Sequence, residues 1–200
     1  MIRLPILALA CLALLVAGCS RSPQVTFYTL LPAASGEAVP ATEAPVSVSV
    51  GPITVPEVVD RPQLVVRESE SRVKIAETHR WAEPLKREIP RVLAQNLGSL
   101  LGTEQVSSYP QNAGADAQYR VQVDVQRFEA LPGKSVTVEA LWQIKRSADN
   151  AQGRGHSLVR EPVQGDGYEP LVAAYSRALS RVSAELAQAI RACGQVPSRK

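Results

Sequence analysis

Histidine and cysteine are scarce in this 200-residue chain: there are two His, His79 and His156, and three Cys. Neither H-x-x-x-H nor C-x-x-C spacing occurs, so a zinc site would have to gather ligands from scattered positions. Three thiols build no disulfide framework. An excess of one charge is lacking too, with 22 Lys+Arg against 19 Asp+Glu and a net charge of +3. A dedicated nucleic-acid binder carries a far larger basic excess on one face, and here the seventeen Arg are scattered. No apolar run reaches the roughly 20 residues of a membrane-spanning helix. There is no G-x-S-x-G elbow, Walker A loop or Rossmann glycine pattern. Gly153-Arg154-Gly155 is a lone G-x-G that turn chemistry explains. Glu68 and Glu70 sit on a hairpin tip, not in a cleft that would raise a carboxyl pKa. Fifteen Pro and twelve Gly without a repeat exclude collagen-like and coiled-coil classes. What is present, 45% apolar content over 200 residues, suits one packed domain. Residue chemistry predicts a non-enzyme.

The N-terminus sets the compartment. Arg3 is the one charge of a short n-region, an apolar stretch runs from Leu4 to Ala17, and polar residues follow. This reads as a cleaved secretory signal. It ends in Val16-Ala17-Gly18-Cys19, which resembles the bacterial lipobox: small residues suit a narrow peptidase cleft, and the thiol takes the diacylglyceryl group. Cys19 is therefore the expected lipidation site and first mature residue, carrying several acyl chains, palmitate among them. Each buried CH₂ contributes about 0.8 kcal/mol, so more than one chain anchors stably. Ser20, where inner-membrane retention in enteric bacteria uses Asp, favours the outer membrane, facing the periplasm. Processing leaves Cys193 as the one thiol, read as a small apolar side chain at a helix end or as an intermolecular bridge. No cofactor is expected beyond the covalent lipid.

Four zones follow: signal peptide 1–18, lipidated Cys and flexible tether 19–45, one domain over 46–192, and a frayed tail 193–200. The tether is rich in Pro and Ala without apolar periodicity, and its residues after Cys19 extend to at most about 90 Å. Within it Phe27-Tyr28-Thr29-Leu30 is an apolar patch with strand propensity, suited to docking on the domain or on a partner. In the domain, Val46, Val48 and Val50 alternate with Ser, and Gly51-Pro52 predicts a bulge. Further strands are expected at 63–67, 72–77, 105–109, 119–126, 136–145 and 156–163. Two amphipathic helices complete the pattern. The first covers 81–101, with Pro90 predicted to kink it and Gly102 to stop it. The second begins near Pro170 and carries Leu171, Tyr175, Leu179, Val182, Leu186 and Ile190 on one stripe, with Arg191 near its end. The expected class is α+β, a mixed, largely antiparallel sheet packed against two amphipathic helices.

Two segments are too structured to be filler. One is Gly51-Pro52-Ile53-Thr54-Val55-Pro56 followed by Asp60-Arg61-Pro62-Gln63. The other is His79-Arg80-Trp81-Ala82-Glu83-Pro84-Leu85. The second is either a strand-to-helix corner with Trp81 packed inside, or a protein contact, since Trp and Arg anchor interfaces.

Together with Tyr28-Thr29-Leu30 behind the lipobox, these segments resemble the ABC-type transport auxiliary lipoprotein family, PqiC/YmbA type, from Cys19 to about Ile190. Pro90 departs from that pattern. The resemblance implies a periplasmic lipoprotein of the outer membrane that is neither pump nor enzyme. Its implied partners are an MCE-domain periplasmic protein and an inner-membrane component of the same system, which together move lipids between membranes; nucleic acid is not among them. Its implied task is to dock the MCE conduit at the outer membrane, as a homo-oligomer. Arg61, Arg80, Trp81 and Tyr28 are then the expected interface residues. Two other readings stand beside this one. The first is a stand-alone envelope lipoprotein holding a lipid or glycan in a pocket between sheet and helices; the second is a periplasmic hydrolase, which needs a convergent nucleophile and base.

Overall fold

The computed structural model describes residues 23–33, 46–108 and 116–195. Cys19, the signal peptide, positions 34–45 and positions 196–200 lie outside the described residues. The elements in chain order are β1 (Thr26–Tyr28), β2 (Val48–Thr54), β3 (Gln63–Arg67), β4 (Val73–Trp81), α1 (Leu85–Leu101), β5 (Val106–Ser108), β6 (Tyr119–Leu131), β7 (Ser135–Arg146), β8 (Gln152–Pro162) and α2 (Glu169–Gln195). The class is α+β, with two helices among the described residues, as the sequence predicts, but the strands divide between two sheets. A small sheet has the order β1-β4-β3 and a larger one the order β5-β2-β6-β7-β8.

Parallel pairing is commoner than the sequence suggests, because β2 lies parallel to both of its neighbours, β5 and β6, and β1 lies parallel to β4. The chain leaves β2 and returns through α1, a crossover that delivers the next strand in the same direction. The hairpins β6–β7 and β7–β8 are antiparallel and long.

Strand β6 explains why its second half escaped the alternation. Tyr119, Val121, Val123 and Val125 are buried, and then the register slips between Val125 and Arg127. One extra residue moves the inward face from odd to even positions. Phe128 and Ala130 are accordingly the buried residues beyond it. In β2 the register likewise shifts between Val50 and Ile53, across Gly51-Pro52, as expected.

Helix α1 starts at Leu85, not at Trp81. Pro84 keeps the residue before it out of helical geometry, and its carbonyl accepts the N–H groups of Arg87 at 2.8 Å and Glu88 at 3.1 Å. Pro90 is buried within the helix, and α1 continues through it to Leu101. Gly102 ends the helix in the left-handed conformation, as predicted. At the other end of the chain, Gly194 and Gln195, expected as part of the frayed tail, are helical. Arg146, from the end of β7, holds that terminus by donating from Nη1 to the Cys193 carbonyl at 2.6 Å, while its Nη2 bonds Asp149 at 2.7 Å. A guanidinium at a helix C-terminus satisfies orphan carbonyls and suits the dipole. Arg191, near the end of α2, reaches across and donates to the Leu100 carbonyl of α1 at 2.5 Å.

Helix α1 packs on β2 and β5, α2 on β7 and β8, and the helices pack on each other. Ile89, Val92, Leu93 and Leu97 of α1 and Leu179, Val182 and Leu186 of α2 are essentially inaccessible to solvent, as are Val50, Val121 and Ile144 of the sheet. At the β7–β8 end the Trp142 indole lies over Gly155, where a Cβ would come within 2.1 Å of the ring. The indole N–H donates to Ser157 Oγ at 2.9 Å. Gly155→Ala is expected to displace this ring and cost about 1–3 kcal/mol, read as a lower urea midpoint together with a shift in tryptophan emission.

Candidate functional site

The sequence segments singled out above converge at one end of the small sheet. Strand β1 pairs with the end of β4 in the register Thr26 to His79, Phe27 to Arg80 and Tyr28 to Trp81. On the other side of β4, Gln63 of β3 pairs with Arg80. The Trp81 N–H donates to the Pro62 carbonyl at 2.7 Å, and the Ala82 N–H to the Tyr28 carbonyl at 2.8 Å. The Tyr-Thr-Leu patch, the D-R-P-Q turn and the H-R-W corner are therefore one structural unit.

The patch docks on its own domain. Leu30 is completely buried in the core, and the backbone on either side of it is bonded to the two helices. Glu88, 1% exposed on α1, accepts the Thr29 hydroxyl at 2.5 Å and the Leu30 N–H at 3.3 Å. Arg91 Nη2 donates to the Leu30 carbonyl at 3.1 Å and lies 3.5 Å from the Glu88 carboxylate. From α2, Ser176 Oγ accepts the Leu31 N–H at 3.1 Å. Farther along α1, Asn96 Oδ1 accepts the Ala33 N–H at 2.8 Å while its amide donates to Ser183 of α2 at 3.1 Å. Residues 26–33, expected within a flexible tether, are thus a strand and a clamp across both helices. Glu88 and Asn96 were visible in the sequence as polar residues on the apolar stripe of α1, the one signal that something polar would be buried there.

Of the expected site residues, Trp81 is the clearest correction as an interface anchor. It is 5% exposed and packs edge-on against Phe128 and Tyr175, which stack on each other with centroids 3.9 Å apart. That ring has no surface to offer a partner; it is the packed corner. Tyr28 is half-buried, its hydroxyl 2.8 Å from His79 Nδ1, and Tyr168 stacks on His79 at 3.9 Å. Burial, with Glu169 and Tyr168 adding to it, pushes the Tyr28 phenol above its ordinary pKa. Arg80 is half-buried and donates from Nε to the Glu77 carbonyl at 3.2 Å. Arg61 is half-buried in the turn before β3, and its Nε is enclosed without an acceptor among the described residues. Cys19 lies outside the described residues.

A second concave surface lies on the far side of the larger sheet from the helices. This open groove of about 920 Å³ is lined by Pro52, Thr54, Asp124, Leu141, Gln143 and Arg154. Among the described residues no group of three or more His, Cys, Asp or Glu is placed to hold a metal ion, and no helix is long and apolar enough to cross a membrane.

The model of the ABC-type transport auxiliary lipoprotein component matches residues 28–187, beginning at Tyr28 and spanning both sheets and most of α2. The chain belongs to the ABC-type transport auxiliary lipoprotein family. Two relatives described as intermembrane transport lipoprotein PqiC, from Escherichia coli strain K12 and Shigella flexneri, are each 28% identical over 186 residues, covering 90% of this chain and 94% of theirs. In fold, the auxiliary lipoprotein resembles protein XCC0632 from Xanthomonas campestris, with a TM-score of 0.67 at 20% identity over 86% of this chain and 97% of the other. It also resembles the crystal structure of an uncharacterized protein, with a TM-score of 0.68 at 21% identity over 84% and 99%. The family match starts inside the docked segment, so the clamp lies within the family's domain.

Two outcomes follow from this geometry. Trp81→Ala is expected to cost about 3–5 kcal/mol of folding stability, measured by urea unfolding, as a core truncation does. Glu88 titrates above the ordinary carboxylate value of 4.5 because burial outweighs its hydrogen bonds and Arg91. A carboxyl raised on folding stabilises the fold below its unfolded pKa and loses that contribution as pH rises through the folded value. The urea midpoint of the wild type minus that of Glu88→Gln is therefore expected to fall as pH rises from about 4.5 towards neutrality. A pH-independent difference would mean that folding leaves this carboxyl unshifted.

Proposed function

We propose that this chain is an outer-membrane-anchored, non-catalytic accessory subunit of an MCE-type intermembrane lipid transport system, acylated on Cys19 and docking the periplasmic conduit at the membrane. The observation that carries the reading is the union of the three motif segments into one hydrogen-bonded corner directly behind the lipobox. Family membership and the PqiC relatives support the transport context. In this reading Arg61 and Arg80 face the partner or a second copy of the chain, and Tyr28 sets the corner through its hydroxyl bond to His79. Arg61 and Arg80 are both half-buried at this corner, and guanidinium groups at the edge of a packed corner are typical interface anchors. The alternative, a lipid or glycan held between sheet and helices, finds little support. The side chains of Ile89, Leu93, Leu97, Val121 and Leu186 fill that layer, and the 920 Å³ groove opens on the opposite face.

The test is a mild-detergent affinity capture of the acylated full chain from its native envelope, with proteins and lipids identified by mass spectrometry. Co-recovery of an MCE-domain protein with several copies of this chain is expected, and Arg61→Ala is expected to reduce it while the variant still unfolds cooperatively in urea. Recovery of this chain alone, with a stoichiometric lipid or glycan, would overturn the proposal.

A further inference from the structure

Eight large apolar residues are exposed among the described residues, and six of them lie on the small sheet or its flanks: Val25, Phe27, Leu31, Val58, Val73 and Ile75. The most exposed are Phe27 at 63% and Leu31 at 60%. Phe27 stands on the outward side of β1, since Tyr28 and its neighbour Trp81 turn inward, and Val25 shares its side by the strand's period of two. Across the ladder Phe27 pairs with Arg80. Val25, Phe27 and Leu31 fall close together in the chain, and such a concentration of exposed apolar side chains marks an interaction surface.

The chain itself says what covers it. Leu30 is buried and Glu88 and Asn96 hold its flanks, so the domain begins at β1 and the leash to the anchor is short. Val25 is the sixth residue after Cys19, a reach of at most about 20 Å. The acyl chains fix Cys19 at the headgroup level, which keeps Phe27 and Leu31 within reach of the same leaflet at every moment.

We infer that Val25, Phe27 and Leu31 insert into the phospholipid surface that holds the anchor, seating the small sheet on the bilayer. The inference rests on the acylation of Cys19 in the proposed function. A membrane-surface site of this type joins aromatic and aliphatic side chains at the acyl boundary to a lipid anchor that alone does not set orientation.

The test uses acylated full-length Phe27→Trp in vesicles of phosphatidylethanolamine and phosphatidylglycerol, with and without brominated acyl chains. Leu158→Trp, on the outer face of the larger sheet, is the comparison, and both variants carry the same Trp81 and Trp142 background. Selective loss of the added emission from Phe27→Trp, and likewise from Leu31→Trp, is expected in brominated vesicles. Equal quenching at positions 27 and 158, or none at 27, would overturn the inference while leaving the transport reading intact. So would blue-shifted, unquenched emission from the Phe27→Trp variant in an oligomer, which would assign the patch to a second copy. Mass spectrometry of the mature N-terminus separates the two levels, since an unacylated Cys19 would overturn both the anchor and this inference.

Discussion

Three rings from three elements hold this molecule together. Trp81 ends β4 in the small sheet, Phe128 follows the bulge of β6 in the large sheet, and Tyr175 comes from the second turn of α2. Offset and edge-on aromatic packing is directional as well as apolar, so this contact fixes how the small sheet sits against the large one. A two-sheet arrangement with only three short strands in one sheet needs such a contact, because three strands are stable only with a buried face. The Arg67–Glu129 ion pair, at 2.6 Å, adds a polar link between the same two sheets.

The segment behind the lipobox depends on that arrangement. With Trp81 fixed, its backbone is bonded to Pro62 and its strand offers an edge on which Tyr28 and Thr26 are registered. The next residues cross the seam between α1 and α2, and the polar groups that receive them are buried at some cost. A buried carboxylate is tolerated only when hydrogen bonds meet it, and Glu88 takes a hydroxyl and an amide from the segment and a guanidinium from its own helix. The elevated pKa of Glu88 records that these partners do not fully offset desolvation.

Much of the fold was legible from periodicity. The long hairpins, both amphipathic stripes, the Gly102 stop and the Gly51-Pro52 irregularity all follow from local rules that a single sequence displays. What escaped were features set by distant partners. β1 is three residues long and pairs only because β4 is there, its partner residues 53 positions on in sequence. The second half of β6 reads out of phase because a bulge inverts its face. Trp81 carries the same composition signal whether it anchors a core or an interface; only Phe128 and Tyr175 decide between them. The Arg146 cap on α2 joins positions 47 apart, beyond any local pattern. Cys193, read as a small apolar side chain at a helix end, is buried there. The candidate site was legible as motifs and illegible as a place: its segments were named in the sequence, but their convergence on β4 is tertiary.

That convergence changes what the region after the lipobox is. A Pro- and Ala-rich composition ordinarily signals a chain that cannot bury enough apolar surface to order itself. Here eight residues in that region, 26–33, contribute one fully buried leucine and a run of backbone donors to a core that is otherwise complete. The donors matter as much as the leucine. Without them Glu88 and Asn96 would face an open seam between two apolar helices, and an unsatisfied buried acceptor costs about 1–3 kcal/mol. The polar residues on the α1 stripe thus make sense only with the segment in place. Residues 26–33, assigned to a linker on composition, are in this protein part of the domain.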